Sequence, residues 1–180
     1  IIASTGRLAN IDPDEIDLND DKAWDLIARG HTSGVFQLES EGMTDLARRI
    51  NARSVDDLAA VIALYRPGPL GMGMHVVYAE RKTGATAVDY GIFSDNDDEI
   101  EIIKSTLDET YGVIVYQEQI LRLADTVAGF SPADRDDLLK AVGKKIREQM
   151  DRSGELFQKM AIEDVDYAGN PKLAFSPATA

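Results

Sequence analysis

The stretch SVDDLAAVIALYRPGPLGMG, residues 54–73, contains the clearest folding signal in the chain. Ser54 with Asp57 three residues later forms a capping-box-like helix start, and the apolar residues after them recur at helical spacing. The helix is predicted to end at Arg66-Pro67. Two prolines that fix φ and three glycines that permit positive φ then predict a rigid turn over residues 66–73. This stretch therefore predicts a helix joined to a stiff connection.

Helix signals dominate the rest of the chain, and strand signals are few. Capping residues precede apolar residues at helical spacing, and glycine or proline follows them. The predicted helices run from a cap at Asn19 or Asp20 to Ile27, and, with Ser40 before it, over residues 43–50. Further helices are predicted over residues 74–82, 98–107, 117–128, 132–142 and 146–162, with Ser131 as the cap and Pro132 in the first turn of the helix over residues 132–142. Residues 33–38 are predicted to be extended, and the β-branched run Gly112-Val-Ile-Val-Tyr116 is the clearest strand candidate. The predicted fold class is α+β and mostly helical.

Length and composition indicate a globular, intracellular protein. The 180 residues, 44% of them hydrophobic, suit one ordinary domain or two small ones. The lack of cysteine excludes disulfides, thiolate zinc sites, iron–sulfur clusters and a cysteine nucleophile. No apolar stretch approaches the roughly 20 residues that span a bilayer, and no signal segment opens the chain. We expect a cytoplasmic protein without a membrane segment, and we interpret both ends, Ile1 and Ala180, as cuts within a longer polypeptide.

The charge of the chain is strongly acidic but unevenly distributed. A net charge of −13 argues against a protein whose whole surface binds nucleic acid, since phosphate binding requires clustered lysine and arginine. Acidic residues are concentrated in residues 12–25 and 95–109. The basic residues gather at Arg48/Arg49/Arg53, Arg81/Lys82 and Lys140/Lys144/Lys145/Arg147. Because a run of charge is most often a solvated face, composition alone assigns these clusters no ligand.

Several short motifs resemble ligand sites but fail on their context. Gly71-Met-Gly73 follows prolines rather than a strand, which excludes a dinucleotide-binding fingerprint. Residues 95–99 have the oxygen density of a calcium loop, but Ile100 stands where that loop requires glycine. The only histidines, His31 and His75, are far apart in sequence. Neither a histidine metal site nor a Ser/His/Asp set is therefore predicted.

Four longer motifs carry charged or amide side chains in a fixed order. They are Phe36-Gln-Leu-Glu-Ser-Glu-Gly-Met43, Ala63-Leu-Tyr-Arg-Pro-Gly-Pro-Leu70, Glu109-Thr-Tyr-Gly-Val-Ile-Val-Tyr-Gln-Glu-Gln119 and Ala141-Val-Gly-Lys-Lys145. Taken singly, each is typical of ordinary structure, such as a strand edge or a charged helix end. Taken together and in this order, they resemble the alpha subunit of bacterial DNA polymerase III, the C-family replicative DNA polymerase. The resemblance runs from about residue 12 to residue 160.

This resemblance implies a set of domains, a reaction and partners. It assigns residues 1–30 to the end of a thumb region, residues 31–82 to the second part of a polymerase-beta-like palm, and residues 83–180 to the start of a helical fingers domain. The implied reaction is template-directed phosphoryl transfer, in which the primer 3′ hydroxyl attacks the nucleotide α-phosphate. The implied cofactor is Mg²⁺ in the complete enzyme, because two divalent ions held by palm carboxylates clamp the reacting oxygens. The implied partners are primer–template DNA, deoxynucleoside triphosphates and replisome subunits such as a sliding clamp.

The same resemblance reveals a departure at the metal site. In the family, two ligand acids lie in an Asp-x-Asp motif upstream of this segment, and the third lies in the helix after the Arg-Pro-Gly-Pro turn. Val76 and Val77 occupy the positions where the third acid is expected, and valine cannot bind a metal. Glu80, one turn further along, is a weak candidate for the missing ligand, because it could replace that acid only if the helix shifted. The sequence therefore predicts no catalytic and no metal-binding residue here, and it indicates a polymerase of reduced catalytic competence or a divergent phage or mobile-element copy.

The basic and amide residues of the motifs match the family better, and Arg81 and Lys82 match an Arg-Lys pair that follows the Arg-Pro-Gly-Pro motif in the family. The nucleotide- and DNA-binding residues that the resemblance implies are Arg66, Arg81, Lys82, Gln117, Gln119, Lys140, Lys144 and Lys145. The cations are expected to neutralise phosphates without reading sequence. Gln117 and Gln119 are expected to organise the palm–fingers junction.

Three functions stay open from the sequence. The first is part of an active replicative polymerase. The second is a catalytically impaired, polymerase-like protein that binds DNA or has a structural role. The third is a helical interaction module unrelated to polymerases, which requires all four motif matches to be accidental.

Overall fold

The computed structural model describes Asp12 and residues 15–177, and it divides the chain into two compact units, Ile1–Thr83 and Gly84–Ala180. Helices build both units, and within the described residues we find no β-strand and a single isolated antiparallel bridge, between Val165 and Pro171. The mostly helical character that the sequence predicts is confirmed, whereas the β part of the predicted α+β class is not found in this part of the chain. No helix among the described residues has the length and apolar character needed to cross a membrane.

The division after Thr83 falls one residue from the boundary that the resemblance places between palm and fingers. Which polymerase regions the two units represent stays a prediction. Most of the first half of the predicted thumb region, residues 1–11, 13 and 14, lies outside the described residues.

The first unit contains five described helices. They are α1 (Asp21–Ala28), α2 (Glu41–Ile50), α3 (Val55–Leu64), α4 (Pro67–Gly71) and α5 (Met74–Lys82). The side chains of Asp20, Ser40 and Ser54 cap the first three helices by accepting hydrogen bonds from backbone N–H groups two or three residues later. The predicted helix starts are thus confirmed. The predicted rigid turn over residues 66–73 instead contains the short helix α4, because Pro67 occupies its first position, where proline is favourable.

Helix α2 is the centre of the first unit, because α1, α3 and α5 all pack against it. Ile50 of α2 and Val61 and Leu64 of α3 are completely buried, and Tyr78 of α5 is nearly so. Burial of each aliphatic side chain contributes about 2 kcal/mol. This core packs α3 and α5, the helices on either side of the Arg-Pro-Gly-Pro motif, against α2.

Residues 33–38 form successive turns, so the predicted extended segment is wrong. The N–H of Val35 donates to the carbonyl of Thr32, and the N–H of Leu38 donates to the carbonyl of Val35, both at 3.0 Å. Gln37, between them, has a φ of 63°. Leu38 is buried, whereas Phe36 is 85% exposed. Of the apolar residues that suggested a strand, the turns fully bury only Leu38.

The second unit contains four described α-helices and one short 3₁₀ turn. They are α6 (Asp97–Leu107), the 3₁₀ turn Asp108–Thr110, α7 (Gln117–Thr126), α8 (Pro132–Lys144) and α9 (Arg147–Ala161). Each helix packs against the next along the chain. Phe130, between α7 and α8, is completely buried and contacts Phe157 of α9 edge-on, with ring centroids 6.1 Å apart. Ser131 caps α8 and Pro132 begins it, as the sequence predicts.

The C-terminal segment of the second unit folds back on α9. The carboxylate of Asp166 accepts hydrogen bonds from the N–H groups of Ala168 and Asn170 and from the Asn170 side chain, all at 2.8 Å. These bonds, that of the Asn170 side chain first, hold the pKa of Asp166 below its ordinary value. The turn packs on Gly129, where a Cβ atom would lie 2.9 Å from the Cα of Asp166. Lys172 donates to the carbonyls of Ala161 and Glu163 at the end of α9, and burial lowers its pKa.

Candidate functional site

Arg66 lies at the connection between α3 and α4. Its backbone is extended, with φ −131° and ψ 153°, as expected for a residue that precedes proline. The side chain is exposed, and no ion pair involves it among the residues that the structure describes. Pro67 starts α4 immediately afterwards, so the backbone on the C-terminal side of Arg66 is restricted by the proline ring and by the helix. Arg66 is therefore an exposed cation on a stiff backbone, a suitable contact for phosphate or carboxylate oxygens.

Helix α5 carries the positions where the resemblance expects a metal ligand. Val76 is half-buried and Val77 is 39% exposed, both in the first turn of the helix. Glu80 is exposed and one turn further along. Valine has no donor atom, so neither position fits a magnesium ion. Among the residues that the structure describes, no group of three or more His, Cys, Asp or Glu side chains is arranged to hold a metal ion.

Lys82, at the end of α5, forms an ion pair inside the first unit. Its Nζ lies 3.1 Å from Oδ1 of Asp57, and only 14% of the Lys82 side chain and 12% of the Asp57 side chain are exposed. The other carboxylate oxygen of Asp57 accepts a hydrogen bond of 2.7 Å from the N–H of Arg53. Lys82 thus links the C-terminus of α5 to the N-terminus of α3. Arg81, its neighbour, is half-buried.

Gln119 lies at the centre of a buried hydrogen-bond network in the second unit. Its Oε1 accepts from the N–H groups of Val115 and Tyr116 at 2.8 and 3.0 Å. Its Nε2 donates to the carbonyl of Thr106 at 3.2 Å and to the hydroxyl of Thr110 at 2.6 Å. The predicted strand over residues 112–116 is wrong, because one amide side chain satisfies backbone groups that a neighbouring strand would otherwise pair. The sequence pattern shows the β-branched run, but it does not show that the Gln119 side chain bonds to the backbone of that run.

Gln117 differs from Gln119 although the two are only two residues apart. It is exposed at the first position of α7, whereas Gln119 is 8% exposed. Gln119 therefore organises the local backbone of the second unit. Gln117 is the amide of this pair that faces solvent.

Lys144 and Lys145 end α8 at a turn that is rich in positive charge. Both side chains are exposed. Lys145 adopts the left-handed conformation with φ 55°, and its N–H and that of Ile146 close the helix by donating to the carbonyls of Val142 and Ala141. Arg147, the first residue of α9, adds a third exposed cation. Sequence reasoning noted Arg147 in the basic cluster but did not select it, because no motif match pointed to it.

We call Lys144, Lys145 and Arg147 the basic turn. In the described residues, no ion pair involves any of the three. Lys140, one turn earlier on α8, instead pairs with Asp137 at 3.2 Å and lines the groove between α8 and α9 together with Arg152. The basic turn therefore presents uncompensated positive charge on an otherwise acidic chain, as phosphate binding requires.

The predicted binding residues are divided between the two units. Arg66, Arg81 and Lys82 belong to the first unit, and α5 brings Arg81 and Lys82 together. The others, Gln117, Gln119, Lys140, Lys144 and Lys145, belong to the second unit, where only Lys144 and Lys145 are adjacent. Their role in binding nucleotide or DNA stays a prediction.

Comparison with known proteins identifies relatives along most of the chain. The sequence model of the "Bacterial DNA polymerase III alpha subunit finger domain" matches residues 1–164. The chain is 44% identical over 149 residues to "DNA polymerase III subunit alpha" of Aquifex aeolicus (strain VF5), which is 83% of this chain and 12% of that protein. It is 45% identical over 151 residues to the protein of the same name from Mycobacterium tuberculosis (strain ATCC 25618 / H37Rv), 84% of this chain and 12% of the relative. The chain is also 40% identical over 163 residues to the protein of the same name from Thermus aquaticus, which is 90% of this chain and 13% of that relative. The chain thus spans about an eighth of the length of these relatives.

Proposed function

The chain belongs to the bacterial DNA polymerase III alpha subunit family, and on that premise we propose that it forms part of a template-directed DNA polymerase that acts in replication. The reaction extends the 3′ end of a primer with deoxynucleotides by two-metal phosphoryl transfer. Its partners are primer–template DNA and deoxynucleoside triphosphates, together with replisome subunits such as a sliding clamp, in the cytoplasm.

The contribution that we assign to this chain is phosphate binding by the basic turn and by Arg66. One observation carries the assignment: the three cations of the basic turn are exposed and have no ion pair among the described residues, whereas Lys140 and Lys82 do. An exposed cation without a protein partner contributes little to folding, and it releases counterions when it meets a phosphate. Lys82 and Gln119, which are engaged inside their units, act by holding structure rather than by contacting ligand.

The metal chemistry of the reaction is assigned to carboxylates outside the described residues. Magnesium prefers oxygen ligands in near-octahedral geometry, and Val76 and Val77 offer none. When bound, the ions stabilise the attacking and leaving oxygens of the displacement. The residues of this chain supply positive charge for phosphates that surround that chemistry.

The experiment that tests phosphate binding measures the affinity for a fluorescent primer–template duplex at several salt concentrations. The protein is expressed from its complete reading frame, and the basic turn is replaced by Lys144→Ala, Lys145→Ala and Arg147→Ala together. Each phosphate contact contributes about −0.9 to the slope of the logarithm of the association constant against the logarithm of the salt concentration. The slope of the triple variant should therefore be less steep by about 2 to 3. The matched control is Lys140→Ala with Arg152→Ala, which removes two cations that are already paired. An unchanged slope in the triple variant contradicts the assignment.

A second function, a polymerase-like protein that binds DNA without catalysing its extension, is favoured by Val76 and Val77. The test compares primer extension in magnesium by the unmodified protein, Val76→Asp and Val77→Asp. Extension by the unmodified protein excludes this second function. No extension by the unmodified protein, with activity regained in either aspartate variant, establishes it.

A further inference from the structure

The ring of Tyr65 lies directly against the backbone of α2 at Gly42. A Cβ atom at residue 42 would lie 1.8 Å from the Tyr65 hydroxyl oxygen, 2.5 Å from Cζ and 2.8 Å from Cε2. These distances are far below van der Waals contact, so glycine at residue 42 is what allows the ring to approach. The contact joins two of the sequence motifs, the one that contains Gly42 and the one that contains Tyr65 and Arg66. Nothing in the spacing of these motifs predicts it.

The backbone around Arg66 has little remaining freedom. Tyr65 ends α3 with φ −82° and ψ 59°, and its N–H donates to the carbonyl of Val61 at 2.9 Å. Arg66 is held extended by the proline that follows it, and its carbonyl accepts from the N–H of Leu70 in α4 at 2.9 Å. Tyr65 is the residue at which the chain turns out of α3. Its ring contacts Gly42 of α2, so the residue immediately before Arg66 is tied to the helix at the centre of the first unit.

We propose that Tyr65, seated on Gly42, is a positioning residue that orients Arg66 toward a phosphate group. This inference rests on the proposed function, because it takes Arg66 to be a phosphate contact. Arginine has a long side chain whose ordering costs conformational entropy on binding, and fixing its backbone in advance reduces that cost. The phosphate belongs to an incoming deoxynucleoside triphosphate or to the primer–template backbone.

The experiment is a double-variant cycle in the protein expressed from its complete reading frame. The variants are Arg66→Ala, Gly42→Ala, Tyr65→Ala, Gly42→Ala with Tyr65→Ala, and Tyr65→Phe. The matched control is Gly154→Ala, which makes the same replacement inside a helix where nothing lies within 4 Å of the added atom. For each variant, dissociation constants are measured for a fluorescent deoxynucleoside triphosphate and for a fluorescent primer–template duplex. The salt slope of duplex binding and the midpoint of thermal unfolding are recorded beside them.

Arg66→Ala should weaken binding of at least one probe about tenfold, as expected for loss of a charge-assisted hydrogen bond. Gly42→Ala and Tyr65→Ala should each weaken binding of the same probe by about threefold or more. The double variant should lose no more affinity than the single variant with the larger loss, since both changes remove the same contact. Tyr65→Phe keeps the ring and should bind nearly as the unmodified protein does, and Gly154→Ala should bind unchanged. Where the duplex is the affected probe, Gly42→Ala should reduce its salt slope in the same direction as Arg66→Ala.

The outcomes separate the inference from the function on which it rests. If Arg66→Ala binds both probes normally, Arg66 is not a phosphate contact and the proposed function loses that residue. If Arg66→Ala binds weakly while Gly42→Ala and Tyr65→Ala change only the unfolding midpoint, the contact is purely structural and the inference is overturned. Additive losses in the double variant overturn it as well. The double variant also relieves the steric clash, so it gives an answer even where Gly42→Ala alone fails to fold.

Discussion

In the first unit, Lys82 is paired with Asp57 and mostly shielded from water, whereas in the second unit Lys144 and Lys145 end a helix in the open with no ion pair among the described residues. All three are lysines of polymerase-like motifs, and sequence reasoning gave all three the same role. Their surroundings differ, so we expect Lys82 to affect the free energy of folding and Lys144 and Lys145 to affect the free energy of binding. A lysine that holds two helices together contributes to folding, while a solvated lysine at a helix end is available to a ligand.

Gln119 offers the largest effect with which to test this distinction. Gln119→Ala removes four hydrogen bonds, two of them buried and two part-buried, and leaves two backbone N–H groups without an acceptor, so we expect a loss of about 3 kcal/mol in the free energy of unfolding. Urea unfolding of the chain measures it. Gln117→Ala is the matched control, with an expected change below about 0.5 kcal/mol because Gln117 is exposed. Equal effects at both positions would contradict the buried network.

The Lys82–Asp57 pair should give the next largest effect. Lys82→Met keeps the length of the side chain but leaves Asp57 mostly buried without its cation, and we expect a loss of about 2 kcal/mol in stability. In Asp57→Asn with Lys82→Met the charge is removed from both partners, so part of the loss should be recovered. Urea unfolding of the single and double variants gives the coupling between them. If Lys82→Met is as stable as the unmodified chain, Lys82 belongs with the solvated lysines instead.

Lys145 and Lys144 permit a sharper comparison, because replacing either by glycine removes the same charge. Lys145 has positive φ, so Lys145→Gly should raise stability by about 0.5 to 1 kcal/mol. Lys144 is the last helical residue of α8, so Lys144→Gly should lower stability, by less than the roughly 1 kcal/mol that glycine costs inside a helix. Thermal unfolding reports the opposite signs, and duplex binding should weaken in both variants. Opposite changes in stability with an equal loss of affinity would show that the effect of these lysines on folding is independent of their effect on duplex binding.

The smallest expected effect is the response of the Asp166 turn to acid. The pKa of Asp166 is lower in the folded chain than in the unfolded chain, so the ionised carboxylate stabilises the turn above the unfolded pKa, about 4. That stabilisation is lost as the pH falls through the folded pKa. Protection of the Ala168 and Asn170 amides against hydrogen exchange should therefore decrease in this range. In Asp166→Asn the decrease should be absent.

The helices could be predicted from the sequence because their starts depend on local contacts. The caps at Asp20, Ser40, Ser54 and Ser131 each bond to a backbone group two or three residues away, so the pattern of letters contains the interaction. The supposed strand at residues 112–116 could not be judged in this way. A β-branched run indicates burial, but a strand also needs a partner from elsewhere in the chain, and here the partner is the side chain of Gln119.

The candidate site was predictable as a list of residues and not as a set of roles. Motif matches selected Arg66, Lys82 and Lys144 alike, since they register the identity of a residue and not its contacts. The Asp57 partner of Lys82 is 25 positions away in sequence, and Gly42 lies 23 positions before Tyr65. Such pairs form only when helices pack, so tertiary structure decides which motif residues stay available to a ligand.

The hydrogen bond between the buried carboxylate of Glu99 and the N–H of Ser176 joins two points 77 residues apart, at 2.8 Å. The segment that follows α9 therefore lies beside the start of α6, the first helix of the second unit. Closing a loop of this length loses conformational entropy before the contact is gained, so such a contact slows folding more than it lowers stability. Once the contact has formed, the start of α6 and the segment after α9 lie side by side, and the helices between them are closed into one loop.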